Sequence, residues 1–295
     1  MVRKIKNGKS PEQRRAEAET LQASIAEQVE ELRSSEAWTR FLDFAQSFHR
    51  YSINNLLLIL AQKPEAIHVA GYRTWQKLGR QVRKGEHGIR IFGGRDVVTT
   101  EEDERTGEET EHRTRRFFPV SVFDMSQTDP TDPDAEDPST IAHKLTGEDP
   151  AGIVEAVSDY LTGQGWTVER EPIPGAANGY TTTDGSRRVV VEADLSPAQA
   201  AKTALHEAAH VILHAEEDPA EYVQHRGVKE TEAESVAYIV AGILGLDTSA
   251  YSIGYVAGWS KGEAETIKET AARVLRAAHT LADALTEVEE DTEAA

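Results

Sequence analysis

The chain has 295 residues, 39% of them hydrophobic, with 51 acidic against 32 basic side chains and a formal net charge of -19. Its lack of cysteine excludes disulfides, thiolate catalysis and Cys-ligated metal, so a bound metal has to be held by histidines and carboxylates. The length predicts two globular units, and the longest apolar run, residues 56–61, is too short to span a bilayer, so no membrane association is expected.

The N-terminal stretch MVRKIKNGKSPEQRRAEAET is basic but has no apolar h-region, which predicts a cytoplasmic protein. Residues 11–33 read as a helix rich in Glu, Gln, Ala and Arg. A second starts at Ser35, with Trp38, Leu42, Ala45 and Phe48 on one face, and Ser52 can cap a third that runs to Gln62 and stops before Pro64. Between residues 66 and 92, Gly71, Gly79, Gly85 and Gly88 break the pattern into turns and short strands around a small helix at 72–78. Residues 97–99 and 117–123 can pair as a long hairpin with the polar tip EEDERTGEETEHR.

Repeated Asp-Pro in SQTDPTDPDAEDPST marks a solvated linker. Beyond it come a helix at 149–162, a strand at 166–170, and a hairpin of 179–182 with 188–192 around Asp184-Gly185. The expected fold is α+β: an N-terminal helical and β-hairpin domain over 1–128, an acidic linker over 129–148, a second domain over 149–286 and an acidic tail over 287–295.

Ser196, Pro197 and Gln199 form an N-terminal helix signature, so the string His206-Glu207-Ala208-Ala209-His210 falls on a helix running to about residue 214. Histidines four apart project from one face and can share a metal ion, while Glu207 is rotated toward a water instead of the metal. A third ligand is sought on the downstream helix, residues 229–246. Glu230 is the expected ligand, with Glu234, one turn on, accepting from a ligand histidine's free ring NH; Glu232, on another face, is the alternative. His214 adds a further turn and reads as structural. The expectation is one mononuclear zinc, with Glu207 as catalytic base for hydrolysis of a peptide or other amide.

In so acidic a chain, residues 71–95 concentrate Arg73, Lys77, Arg80, Arg83, Lys84, Arg90 and Arg95 against Glu86, with Tyr72 and Trp75 among them. Cations beside aromatic faces are how single-stranded nucleic acid is held without sequence reading. Arg73, Trp75, Lys77, Arg80, Arg83 and Lys84 are therefore candidate contacts to single-stranded DNA.

Residues 51–93, with FFPVSVFDMSQT after them, resemble the N-terminal, single-stranded-DNA-binding domain of ArdC-type antirestriction proteins of plasmids and phages. The resemblance covers residues 35–128, through a Tyr-Ser-x-x-Asn signature at Tyr51, Ser52 and Asn55 and a Trp-Gln-x-Leu-Gly-Arg-x-Val-x-x-Gly stretch from Trp75 to Gly85. It implies that Tyr51, Ser52 and Asn55 belong to the DNA site, and that the second half is a minimal zincin-like metallopeptidase domain of the ImmA/IrrE group. In that group an acidic ligand stands four residues before an Asn, Asp or Glu, which falls here on Glu230 and Glu234. The function so implied is an antirestriction-like protein of a mobile element that binds single-stranded DNA. The rivals are a metalloprotease cleaving a regulatory or restriction protein, and an acidic DNA mimic.

Overall fold

The structure, a computed structural model, describes residues 10–102, 109–131, 151–217, 225–246 and 264–286. The tip of the long hairpin, most of the 129–148 linker and the 287–295 tail lie outside them. The helices are α1 (Pro11–Glu31), α2 (Ser35–Phe48), α3 (Ile53–Gln62), α4 (Tyr72–Lys77), α5 (Ala151–Gly163), α6 (Pro197–His214), α7 (Arg226–Ile243) and α8 (Ala264–Leu285). The strands are β1 (Val69–Gly71), β2 (Arg80–Val82), β3 (Ile89–Glu102), β4 (Glu109–Asp124), β5 (Thr128–Pro130), β6 (Thr167–Glu171), β7 (Gly179–Thr181) and β8 (Arg188–Glu192). This is the α+β class expected. None of the described helices is long and apolar enough to cross a membrane.

Two compact units divide the chain, one within Met1–Gln28 and Leu57–Ala135, the other within Val29–Leu56 and Glu136–Glu289. The division differs from the sequence reading, because residues 29–56 group with the C-terminal unit. The reason is tertiary: the buried face of α2 carries Trp38, Phe41, Leu42 and Phe48, and Trp38 Nε1 donates to Ser235 Oγ of α7 at 3.2 Å. The Tyr238 hydroxyl of α7 donates to Asp43 of α2.

In the first unit β1, β4 and β3 form an antiparallel sheet in that order, and β2 pairs with β5. The linker thus starts later than predicted, since Asp129 and Pro130 lie in β5; an edge strand tolerates the proline's missing donor. The hairpin exists but is longer than predicted and in another register, with Val97 opposite Thr114 and Gly94 opposite Phe117. Ala70, Trp75, Val82 and Met125 form a buried cluster, joined by Phe123. Asp124 closes β4 by accepting from Ile67 N (3.0 Å), His68 N (3.2 Å) and Ser126 N (2.9 Å), while Gln127 Oε1 accepts from Asp124 N at 2.9 Å.

In the second unit β8 is the centre of a mixed sheet, parallel to β6 and antiparallel to β7. Val189, Val190 and Val191 are all buried, as expected of a strand covered on both faces. Helices α6 and α7 pack together, and both bury small residues: Ala201, Ala204 and Ala208 on one, Ala233, Ala237 and Ala241 on the other. No helix was read from the sequence over α8, although Ile267, Ala271, Val274, Leu275, Ala278, Leu281 and Ala282 recur at helical spacing and are buried.

Candidate functional site

Helix α6 starts as its sequence signature requires, with Ser196 Oγ accepting from Gln199 N and Pro197 at its first turn. It brings His206 Nε2 and His210 Nε2 to 3.0 Å. Helix α7 adds Glu230, whose Oε2 lies 3.5 Å from His206 Nε2 and 3.7 Å from His210 Nε2. Among the described residues these three form one of two groups able to offer convergent metal-ligand atoms. Tetrahedral bonds of about 2.0–2.1 Å would hold two ring nitrogens roughly 3.3 Å apart, so a first-row divalent ion fits with little adjustment. Two facing lone pairs at 3.0 Å repel unless a cation or a proton lies between them.

The surrounding carboxylates have separate tasks. Glu234 Oε2 meets His206 Nδ1 at 3.1 Å and its Oε1 meets Lys202 Nζ at 2.9 Å, so it is held between a cation and a ring NH. Glu232 points away from the three donors and toward His214, 3.0 Å from His214 Nε2. Glu207 Oε2 accepts from Thr181 Oγ1 of β7 at 2.7 Å. A Cβ on Gly179 would come within 3.0 Å of Glu207 Oε1 and 2.6 Å of Thr203, so only glycine lets β7 approach this closely.

Burial opposes the charge on His206, but its bonds to Glu230 and Glu234 outweigh this and raise its pKa to about 9. Hydrogen bonds from His206 and His210 hold Glu230 well below the usual carboxylate range. Glu207 is pushed up, chiefly by burial, which suits a group that must take a proton.

The residues proposed for DNA are divided. Trp75 is fully buried, with Nε1 donating to Phe123 O at 2.8 Å, and is core instead of a stacking face. Tyr72 is exposed but takes a hydrogen bond from Gln81 and lies edge-on to Phe123. Arg80 donates to Thr128, and Arg83 to Glu86, Asp129 and Ser126 O. Arg73, Lys77 and Lys84 are exposed, with no ion pair among the described residues. Tyr51, Ser52 and Asn55 fall in the second unit, where Ser52 Oγ accepts from Asn55 N at the start of α3 and Tyr51 packs edge-on against Phe48.

The sequence reading missed a surface on the hairpin. Beyond the register with β1, β4 pairs only with β3 among the described residues, and residues 113–118 are exposed without alternation, so both faces of the ribbon reach solvent. That stretch holds Arg113, Arg115, Arg116, Phe117 (67% exposed) and Phe118 (38%), with Arg95 opposite Arg116. The signal was present in the string RTRRFF.

Residues 15–123 match the sequence model of the N-terminal domain of anti-restriction factor ArdC, and residues 162–276 that of the IrrE N-terminal-like domain. An uncharacterised protein of Bacillus anthracis is 25% identical over 276 residues, covering 82% of this chain and 46% of that protein, so this chain spans about half its length. Crystal structures of the antirestriction ArdC protein from R388 plasmid are also similar. The metal-free form has 22% identity and a TM-score of 0.45 over 80% of this chain and 85% of that one. The Mn(II)-bound form has 21% identity and a TM-score of 0.46 over 81% and 86%. The chain thus carries an ArdC N-terminal domain followed by an IrrE N-terminal-like domain.

Proposed function

We propose that this is an antirestriction protein of a mobile element, which holds single-stranded DNA on its first unit and one zinc ion on its second. The observation that carries the reading is the meeting of His206 Nε2, His210 Nε2 and Glu230 Oε2 at one point. His206, His210 and Glu230 would be the ligands. When bound, the ion would supply Lewis acidity. Glu207, fixed by Thr181 and left proton-seeking by burial, takes a proton from water and returns it to a departing amine. Glu234 orients His206.

Support for DNA binding is the match to the ArdC domain and the cations without ion pairs among the described residues of so acidic a chain: Arg73, Lys77 and Lys84, then Arg95, Arg113, Arg115 and Arg116 beside Phe117 and Phe118. Coating incoming single strands would shield them from host defence. A second reading, a metalloprotease acting on a regulatory or restriction protein, is favoured by the Thr181 bond to Glu207, which nucleic-acid binding does not need.

The test has two arms. Zinc and manganese are titrated against a chromophoric chelator; wild type binds one equivalent, and Glu230→Gln loses more than about 100-fold, since losing a ligand outranks the 10- to 100-fold lost with an outer partner. Anisotropy of a labelled oligonucleotide follows the other arm. Single strand is preferred to duplex, and Phe117→Ala binds at least about fivefold more weakly, one base stack being worth about 1–3 kcal/mol. No metal uptake by wild type removes the zinc half, and no oligonucleotide binding removes the DNA half. Loss of biological activity in Glu207→Gln with DNA binding intact makes the protease reading the better one.

A further inference from the structure

His214 and Glu232 belong to neither the donor cluster nor the Glu207 pair, yet both are buried deeply beside it. Glu232 is 0% exposed on α7, and its Oε2 meets His214 Nε2 at 3.0 Å. His214 Nδ1 meets His210 Nδ1 at 3.1 Å. Arg273 of α8 lies 3.5 Å from the same Glu232 oxygen and 3.2 Å from Glu217, which also pairs with Lys229.

These contacts fix the direction of each hydrogen bond. An ionised carboxylate only accepts, so His214 Nε2 carries the hydrogen it gives to Glu232. A neutral imidazole has one NH, so His214 Nδ1 is a lone pair and His210 Nδ1 must donate to it. His210 Nε2 is then the lone pair, and it is the atom that faces His206 and Glu230. Across the site Glu234 does the same for His206 directly, through the 3.1 Å contact at Nδ1.

We propose that His214 and Glu232 form an orienting relay that sets the tautomer and ring angle of His210 for metal binding, the counterpart of Glu234 at His206. The inference rests on the metal reading above. His214 is a positioning residue: standing one turn after His210 on α6, it spans the gap that keeps Glu232 from reaching His210 itself. Glu232 is the fixed end of the relay, fully buried with Arg273 beside it. This also accounts for two acids of α7 two residues apart, Glu230 turned to the donors and Glu232 turned from them.

The test compares zinc affinity and the visible spectrum of the Co(II)-substituted protein in wild type, His214→Leu, His214→Gln and Glu232→Gln. His214→Leu keeps bulk but has no acceptor, and its zinc affinity is expected to fall about 10- to 100-fold with a shifted Co(II) spectrum. His214→Gln offers an amide oxygen to His210 and should restore affinity to within about threefold of wild type. Glu232→Gln preserves shape and should lose about tenfold, which keeps the test open if His214→Leu does not fold. Zinc affinity and Co(II) spectra unchanged in variants that melt lower would mean that the pair only packs, and would overturn the relay. A wild type that takes up no metal overturns the reading beneath it, a result distinct from wild-type binding that the variants do not alter.

Discussion

The histidine cluster and the arginine-rich segment use charge in opposite ways. At the cluster, charged and polar groups from α6 and α7 are buried or half-buried and converge on one point, and the bonds to Glu230 and Glu234 outweigh desolvation and raise His206 to about 9. In the basic segment the arginines are exposed or half-buried, and several are answered by the chain's own groups, Arg83 by Glu86 and Asp129 and Arg90 by Glu17. Sequence density of cations is therefore a poor guide to the outward field.

The largest effect that sharpens this contrast concerns two aromatics of the first unit. Trp75→Ala empties the centre of its core and removes the hydrogen bond to the Phe123 carbonyl, and is expected to cost about 3–5 kcal/mol. Phe117→Ala, on the exposed ribbon, should change stability by less than about 0.5 kcal/mol. Urea unfolding of both variants checks this. Equal losses would mean that the ribbon is packed against something and is no open surface.

A second prediction concerns the pH dependence of the cluster. Without metal, His206 has its pKa raised from 6.5 to about 9, so its bonds to Glu230 and Glu234 stabilise the fold fully below pH 6.5, and that contribution is lost as pH rises through about 9. Zinc has to displace this proton. Its apparent affinity should therefore climb by up to about tenfold per pH unit below about 9, with one proton released at about pH 7. Calorimetry in buffers of different ionisation enthalpy counts the protons. A flat affinity between about pH 6.5 and 8.5 would show that His206 is already neutral.

How much of this could be read in advance depended on the distance over which residues had to be related. His206, Glu207 and His210 were legible because one helical turn fixes their mutual placement, and Glu230 with Glu234 for the same reason. The His214 contact to Glu232 was not, because it depends on how two helices distant in sequence pack together. Trp75 read as a stacking residue from its cationic neighbours, whereas its fate is decided by a carbonyl 48 residues away. The hairpin's existence was legible from its apolar strands, but its register was not, because residues 113–118 are exposed throughout and offer no buried face to fix it. α8 was within reach of its own periodicity.

The smallest expected effect tests which cations face the nucleic acid. Arg83 is engaged by Glu86, Asp129 and the Ser126 carbonyl, so Arg83→Ala removes a charge that its neighbours already balance. Arg115 has no such acid bound to it among the described residues and lies on the ribbon beside Phe117, over Gly94. Removing one arginine from a backbone phosphate lowers the salt slope of single-strand binding by about 0.7, so Arg115→Ala should flatten that slope and weaken binding roughly fivefold at low salt. Arg83→Ala should leave the slope unchanged and alter affinity by less than about twofold. The reverse order would place the strand along β2 and β5, where Arg83, Lys84 and Tyr72 line a shallow cleft, and would move the stacking role from Phe117 to Tyr72.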